Sequence, residues 1–285
     1  MWLIDFGKRW VKSTLAARGL DIVSKSAVFN ESLAYRSYPK ESLDSKRFLN
    51  IGAGSFFNHP NWSRLDYIDT PYFYTKYGAD SKVEINHDLS TKADFPIDSE
   101  SLELVYTSHT IEHLEYEMVS KLFGEAFRTL KCGGGFRVTC PDMNLHLQAL
   151  FKDDKHFYYW IPSGEHFSQA QHFLKNFASP LADISIEGGG RIPDDEIIDR
   201  FRSDTGGGYT ESFEYFSSEC KFNPERVGDH ISWWTRGRVV DLMKKVGFSE
   251  VYVSGHSQSR FPPLRDTSNF DTTQVPHSLY IEARK

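Results

Sequence analysis

The sequence contains little that would mark a secreted, membrane-spanning or nucleic-acid-binding protein. Its three cysteines, Cys132, Cys140 and Cys220, are odd in number and lack metal-finger spacing, so we expect reduced, buried thiols in a cytosolic protein. No apolar run reaches the roughly 18–20 residues of a membrane span, and the start lacks the apolar stretch of a secretory signal. A net charge of −6 without a strongly basic run excludes a general nucleic-acid binder.

What is present is the composition of an ordinary globular protein, with 39% hydrophobic and 25% charged residues. A chain of 285 residues can form one large domain or a domain with a sizeable insertion. Aromatic residues make up 15% of the chain, which favours a protein with a walled pocket. No internal repeat or low-complexity tract interrupts it.

The N-terminal segment, residues 1–46, is predicted to be helical. Trp2, Phe6 and Trp10 stand four residues apart with lysines and arginines around them. Such a helix could rest on an anionic membrane surface or contact a partner, which would place a cytoplasmic protein at the inner membrane face. A helix packed on its own domain is the alternative that we favour.

Strands and helices alternate after residue 46. Short apolar runs that end in glycine or polar residues predict parallel strands at 47–54, 63–69, 82–89, 102–109 and 136–140. Met118, Leu122, Ala126 and Leu130 stand four apart and predict one face of a helix that the glycines at 133–135 end. The alternation predicts an α/β fold with a doubly wound sheet.

The alternation stops between residues 145 and 228. This stretch is rich in aromatics and carries two glycine triplets, so we expect an inserted lid or substrate-side subdomain. A helix over 235–248 and strands over 249–254 and 277–285 then resume the pattern. The core domain is therefore predicted to comprise 47–144 and 229–285.

Polar and glycine residues follow the ends of successive predicted strands. Gly52 and Gly54 end the first strand, where missing side chains let backbone N–H groups approach an anionic ligand. Asp66, at the second strand, can take the two hydroxyls of a ribose. Asp88 can accept from an adenine amino group, and Leu89 can cover the ring. Each aspartate alone more often caps a turn, but together they favour a cofactor pocket.

These segments resemble a class I S-adenosylmethionine-dependent methyltransferase. The resemblance covers about 48–142 and 229–285 and is carried by "LNIGAGS", "LDYID", "HDL", "SHTIEHL", "RTLKCGGGFRVTCPD" and "SLYIEARK". It implies a seven-stranded, mostly parallel, Rossmann-like sheet with an antiparallel last strand; the aromatic-rich insertion would follow strand five. It also implies S-adenosylmethionine as cofactor, bound from its methionine part to its adenine by Gly52, Ala53, Gly54, Ser108, His109, Asp66, Asp88 and Leu89.

The first loop departs from the family pattern. Only about ten residues separate Gly54 from the second strand, so the usual first helix must shrink to "FFNHPNW". That puts the contacts from this helix in doubt and leaves Asp69 as an alternative to Asp66. A dehydrogenase with a similar sheet would need a third glycine where Phe57 stands, which argues against that enzyme class.

His109, Glu112 and His113 have the order H-x-x-E-H of inverted zinc peptidases. A peptidase needs both histidines on one helix. Here His109 ends a predicted strand and the helix begins only around Glu112 or later, which excludes that enzyme. The segment is also similar to the E-x-x-E-H that some methyltransferases use to hold a divalent metal, so metal use stays open and no ligand set is assigned. Because His109 replaces a carboxylate, Mg²⁺ is disfavoured.

An oxygen acceptor must lose a proton, so methyl transfer to it needs a base. The candidates are His109, His113, Asp142, His146 and His230. The layout resembles bacterial methyltransferases of the type 11-like group associated with cell-envelope glycans, which implies O-methylation of a nucleotide- or lipid-linked sugar during polysaccharide biosynthesis. An amine or a phosphate-bearing small molecule is an alternative acceptor. A non-catalytic, cofactor-binding partner subunit is the non-enzymatic alternative.

Overall fold

A computed structural model describes residues 29–71, 73, 76, 78, 82–159, 161, 167–182 and 192–285. The aromatic helix expected around Trp2, Phe6 and Trp10 lies outside these residues. Among those that the structure describes, no helix is long and apolar enough to cross a bilayer.

Seven strands form one sheet in the order β3-β2-β1-β4-β5-β7-β6. Their bounds are Phe48–Ile51 (β1), Trp62–Asp66 (β2), Ile85–Asn86 (β3), Leu102–Ser108 (β4), Leu130–Pro141 (β5), Glu250–Val253 (β6) and Ser278–Arg284 (β7). Strands β3, β2, β1, β4 and β5 pair in parallel, whereas β7 is antiparallel to both of its neighbours. The predicted mostly parallel, seven-stranded sheet with an antiparallel last strand is confirmed.

Strand order reverses between β1 and β4, and the candidate site lies at this reversal. Strand β1 pairs with β2 on one side and with β4 on the other. In open α/β sheets a crevice forms beyond the carboxyl ends of the strands at such a reversal. Every residue of β1 is buried, as expected for a central parallel strand covered on both faces.

The structure describes nine α-helices in full, and those that cover the sheet bury their apolar faces against it. Their bounds are Glu31–Tyr35 (α1), Lys40–Asp44 (α2), Tyr116–Thr129 (α3), Met143–Phe151 (α4), Gln169–Lys175 (α5), Ser179–Ala182 (α6), Asp194–Ser203 (α7), Thr210–Ser217 (α8) and Arg236–Val246 (α9). Leu122 and Ala126 of α3 are buried as predicted, whereas Met118 is only partly buried. Helix α9 ends at Gly247, whose φ of 116° is the left-handed conformation of a C-cap glycine.

The predicted boundary between α3 and β5 is wrong. The helix ends at Thr129, and β5 begins at Leu130, so the glycines lie inside the strand. Close packing requires two of them: a Cβ on Gly134 would lie 2.9 Å from Lys131 O, and one on Gly135 would overlap the Phe261 ring. Gly133 has φ 81°, a left-handed conformation that favours glycine. The pairing of β4 with β5 is irregular at the same place.

Two smaller expectations also differ from the structure. Residues 52–61 form turns and contain no helix, so the shortened first helix is absent altogether. Cys140 and Cys220 are buried as expected, but Cys132 is exposed because it lies in the glycine-rich start of β5.

The helices between β5 and α9 have a hydrophobic cluster of their own, drawn from residues 143–233. Its centre consists of fully buried phenylalanines: Phe173, Phe177, Phe201, Phe213 and Phe216. Trp233 stacks on Phe213 with ring centroids 4.7 Å apart. A separate cluster fills the space between the sheet, α3 and α9. The proposed bounds of an insertion, 145–228, stay a prediction.

Candidate functional site

Two adjoining cavities open at the carboxyl ends of the parallel strands. The main cleft has an empty volume of about 800 Å³, and the second cavity has about 1150 Å³. Both are lined by Gly52, Lys76 and His109, so they meet at the end of β1. Of the predicted residues, the main cleft contains Gly52, Asp66, Asp88, Leu89, His109 and His113. The second cavity contains Gly52, Ala53, Ser108 and His109.

The turn after β1 requires both of its glycines. Gly52 has φ 69° and Gly54 has φ 60°, a conformation in which a side chain is strained. A Cβ on Gly52 would also overlap the side chain of Thr110, which follows β4. The backbone of the turn therefore lies directly against the neighbouring strand end.

Asp66 ends β2 and holds this turn in place. Its Oδ2 accepts from Gly54 N at 2.7 Å and its Oδ1 accepts from Tyr67 N at 2.8 Å. Burial raises the pKa of Asp66, and the two N–H groups and the Lys76 ammonium only partly oppose this effect. Each oxygen keeps a further lone pair for a ligand hydroxyl. Asp69, by contrast, is exposed, accepts from Asn86 Nδ2 at 2.8 Å and lines neither cavity.

The far end of the main cleft combines a carboxylate with apolar walls. Asp88 Oδ1 accepts from Ser90 N at 2.8 Å and from Ser90 Oγ at 2.7 Å, which fixes the loop after β3. Leu89 stands beside it, as predicted. The remaining apolar walls were not predicted: Phe73, Leu114, Phe222 and Val227. Phe222 and Val227 come from the stretch just before α9, and no local sequence signal links them to the strand ends.

His109 stands at the junction of the two cavities with a left-handed backbone, φ 49°, which is uncommon for a residue other than glycine. Its backbone N donates to Thr139 O at 2.9 Å, which holds it against β5. On the side chain, Nδ1 lies 3.1 Å from Glu112 Oε1, and Nε2 lies 2.7 Å from Ser278 Oγ at the start of β7. A carboxylate on one nitrogen and a hydroxyl on the other orient the ring.

Glu112 lies in a 3₁₀ turn, Ile111–His113, and is 1% exposed. Burial alone would raise the pKa of its carboxyl group, but the imidazoles of His109, His113 and His230 outweigh burial and lower the pKa to about 2. His109 Nδ1 lies 3.1 Å from Oε1, and neither carboxylate oxygen has an aligned hydrogen-bond partner among the described residues. The three imidazoles thus favour the ionised form of the carboxylate.

His113 and His230 pack against each other beside Glu112, with ring centroids 4.8 Å apart. His113 Nδ1 lies 2.9 Å from Asp229 O, and His230 Nδ1 lies 2.9 Å from Asn176 O. Burial and the neighbouring His113 lower the pKa of His230 to about 4. The first α-helical residue after this turn is Tyr116, so the two histidines of H-x-x-E-H do not share an α-helix. The predicted separation of the two histidines from a common helix is confirmed.

Asp142 and His146, two other candidate bases, are engaged elsewhere. Asp142 caps α4 by accepting from Asn144 N at 3.2 Å and pairs with Arg236 at 2.9 Å. It lines neither cavity. His146 is fully buried, and its Nδ1 lies 3.2 Å from Tyr158 Oη. Burial, with smaller effects of neighbouring imidazoles, lowers the pKa of His146 to about 3. The structure therefore groups His109, His113 and His230 around Glu112 and leaves these two outside the group.

Comparison with solved structures finds S-adenosylmethionine-dependent methyltransferases. One from Mesorhizobium loti is 14% identical, with 92% of this chain and 98% of that chain covered and a TM-score of 0.41. A possible histamine N-methyltransferase from Thermotoga maritima is 13% identical, with coverage of 89% and 92% and a TM-score of 0.39. An enzyme from Archaeoglobus fulgidus is 12% identical, with coverage of 92% and 95% and a TM-score of 0.40. No protein-family model and no curated protein matches the chain. Such values carry no argument about activity, which rests on the residues of the cleft.

Proposed function

We propose that this chain is an S-adenosylmethionine-dependent methyltransferase that acts on an oxygen atom of its acceptor. One observation carries the proposal. The glycine turn, two strand-end aspartates and His109 meet in one cleft where strand order reverses in the sheet β3-β2-β1-β4-β5-β7-β6. An adenosyl group needs acceptors for its ribose hydroxyls and its amino group, and this edge of the sheet offers both.

The residues present fit the cofactor. Asp66 keeps lone pairs for two ribose hydroxyls, and Asp88 has a second oxygen, Oδ2, beside the apolar wall around Leu89. The second cavity suits an amino-acid group, because its wall combines Lys76 with amide and hydroxyl side chains: Asn50, Asn58, Asn269, Ser268 and Thr272. When bound, the cofactor supplies an activated methyl carbon, and the protein mainly orients the acceptor and excludes water.

His109 is the residue best placed to take the proton of an acceptor hydroxyl. It lies at the junction of the two cavities, where the adenosyl and methionine parts would join. The buried carboxylate of Glu112 stabilises the imidazolium that forms. Ser278 Oγ holds Nε2 of the His109 ring, and an acceptor hydroxyl would replace Ser278 at this nitrogen.

An uncharged, hydroxyl-rich acceptor such as a sugar is the finer part of the proposal. Aromatic side chains beside His277 support it, since flat rings stack on the apolar faces of sugars. Tyr159 is 71% exposed, with its ring 6.2 Å from that of His277, which directly precedes Ser278. Phe157 lies 5.3 Å from the same His277 ring. On the resemblance described above, we propose a nucleotide- or lipid-linked glycan as the source of this sugar.

Calorimetry tests the cofactor part. Titration of the purified chain with S-adenosylmethionine and S-adenosylhomocysteine is expected to give binding at one site. Asp66→Ala should weaken binding at least about 100-fold, the equivalent of two charge-assisted hydrogen bonds. Asp69→Ala is the matched control and should bind within about threefold of the native chain. Absence of binding to the native chain, with circular dichroism showing it folded, refutes the proposal.

Methyl uptake from labelled cofactor tests the acceptor part. A panel of nucleotide sugars, lipid-linked sugars, amines and phosphate-bearing small molecules separates the alternatives by chemical class. Uptake by a sugar is expected, with a rate that falls about 100-fold in His109→Gln. Uptake by an amine alone would overturn the choice of oxygen. Cofactor binding without uptake by any acceptor would support a non-catalytic partner subunit.

A further inference from the structure

Glu112, His113 and His230 form a compact group of potential metal ligands. One ligand atom from each residue lies within 4.8 Å of those of the other two. Two distant chain segments supply them, and these segments are tied together by the contact of His113 Nδ1 with Asp229 O at 2.9 Å. Ile231 N and Ser232 N donate to Glu112 O at 2.8 and 3.2 Å, so the carboxylate and the His230 imidazole are held in fixed register.

The buried Glu112 carboxylate lacks, among the described residues, the hydrogen bonds that usually compensate for desolvation. It is 1% exposed, and neither oxygen has a hydrogen-bond partner in the part of the chain that the structure describes. A buried carboxylate normally accepts two or more hydrogen bonds, because desolvation without them is costly. The imidazoles of His113 and His230 lie next to it and can share a cation with it.

The hydrogen bonds of these imidazoles determine which nitrogens can bind a cation. His113 Nδ1 faces Asp229 O and His230 Nδ1 faces Asn176 O, each at 2.9 Å. A carbonyl can only accept, so each Nδ1 carries the hydrogen and each neutral ring keeps a lone pair on Nε2. Each ring therefore keeps one nitrogen that can bind a cation beside the Glu112 carboxylate. Donation of the other ring nitrogen to a carbonyl is the arrangement that orients histidine ligands in metal sites.

We propose that Glu112, His113 and His230 together bind one divalent transition-metal ion in the wall of the main cleft. Two nitrogen ligands and one oxygen favour Zn²⁺, Mn²⁺, Fe²⁺, Co²⁺ or Ni²⁺ over Mg²⁺ and Ca²⁺, which prefer all-oxygen sites. Because His113 lines the cleft, coordination positions not filled by protein face the acceptor side. The role of the ion in orienting an acceptor hydroxyl rests on the proposed function, whereas binding of the ion does not.

Metal binding is measured directly on the full-length protein after treatment with EDTA and desalting. Titration with Co²⁺, followed by its visible absorption, should show one equivalent bound per chain. Glu112→Gln and His230→Gln should each weaken binding at least about 100-fold. The matched controls Glu125→Gln, a buried carboxylate paired with Lys121 and Arg128, and His172→Gln should bind as the native chain does. No stoichiometric uptake by the native chain, or equal uptake by Glu112→Gln, overturns the proposal.

A second measurement avoids any dependence on folding of the variants. Electron paramagnetic resonance of the native chain loaded with one equivalent of Cu²⁺ should show coupling to two imidazole nitrogens; coupling to none refutes the site. Calorimetry with S-adenosylhomocysteine on the same sample separates the two proposals. Metal uptake without cofactor binding refutes only the methyltransferase, and cofactor binding without metal uptake refutes only the metal site.

Discussion

Two groups of buried charged residues in the described part of the chain are arranged in opposite ways. Arg137 on β5 is fully buried with Asp271 and Glu282, and its guanidinium donates five hydrogen bonds to Asp271, Glu282, Ser254 and Gly255. Both carboxylates receive further donors, from Tyr106, Tyr252 and Arg260. Glu112 is equally buried, yet its oxygens receive no hydrogen bond from the described residues.

This comparison distinguishes a buried charge that only stabilises the fold from one that can still bind a ligand. A buried ion group whose donors and acceptors are all paired fixes the packing of β5 against β7 and the loop at 254–271, and it leaves nothing open for a ligand. A buried carboxylate that faces only imidazoles remains open to a proton or a cation. Burial of a charged residue is therefore poor evidence for function by itself. The number of its hydrogen-bond partners shows whether it can still bind a ligand.

The largest effect is expected from breaking the paired group. Arg137→Met leaves two buried carboxylates without their cation, so the free energy of unfolding should fall by about 3–5 kcal/mol. Chemical denaturation measures it. Arg260→Met is the control, because its side chain pairs with Glu250 at the surface and should change stability by about 0–1 kcal/mol. Equal losses in the two variants would mean that the Arg137 group does not stabilise the fold.

Removal of the charge of Glu112 should lower the rate of methyl transfer more than it lowers stability. Glu112→Gln keeps the side-chain shape but no longer stabilises an imidazolium on His109, so methyl transfer should slow by about 100-fold. Its free energy of unfolding should fall less than that of Arg137→Met. Steady-state rates with saturating cofactor and denaturation of the same samples test both statements. A variant with native rates would remove Glu112 from the mechanism.

The smallest effect concerns pH and arises from His146, a buried histidine that belongs to neither group. The pKa of His146 is lowered to about 3, so below the ordinary value of 6.5 the unfolded chain takes up a proton that the folded chain refuses. The stability that His146 contributes is therefore complete above pH 6.5 and is lost as pH falls toward 3. At pH 5 the loss is about 2 kcal/mol, and His146→Gln should remove it. Exposed His256→Gln should leave the pH dependence unchanged, and an unaltered dependence in His146→Gln would contradict the assignment.

The sequence was sufficient to predict the seven-stranded sheet and several residues of the main cleft. Strand ends could be located from apolar runs, and parallel strands bring their carboxyl ends to one edge. Gly52, Asp66, Asp88 and Leu89 therefore line one cleft, as expected for residues that follow successive strands. Local pattern and topology together determine such positions.

Other features depend on contacts between distant segments, which periodicity does not encode. Asp142 stood at the right strand end, but its ion pair with Arg236, 94 positions later, engages it structurally. The glycines before Phe136 suggested a helix end, but they lie inside β5, where the aromatic ring of Phe261 leaves no room for a side chain on Gly135. Grouping of His230 with Glu112 depends on backbone hydrogen bonds between two loops.

Those same two loops also govern how the cleft could open. The helices α4 to α8 leave the sheet at Asp142 and return at residues 229–232, where Ile231 and Ser232 are hydrogen-bonded to the backbone of Glu112. A rotation of this helical layer would have one of its pivots at the turn Ile111–His113 itself. Admission of a bulky acceptor would then displace one imidazole from the carboxylate, and reclosure would reassemble the reactive group only around a correctly seated molecule.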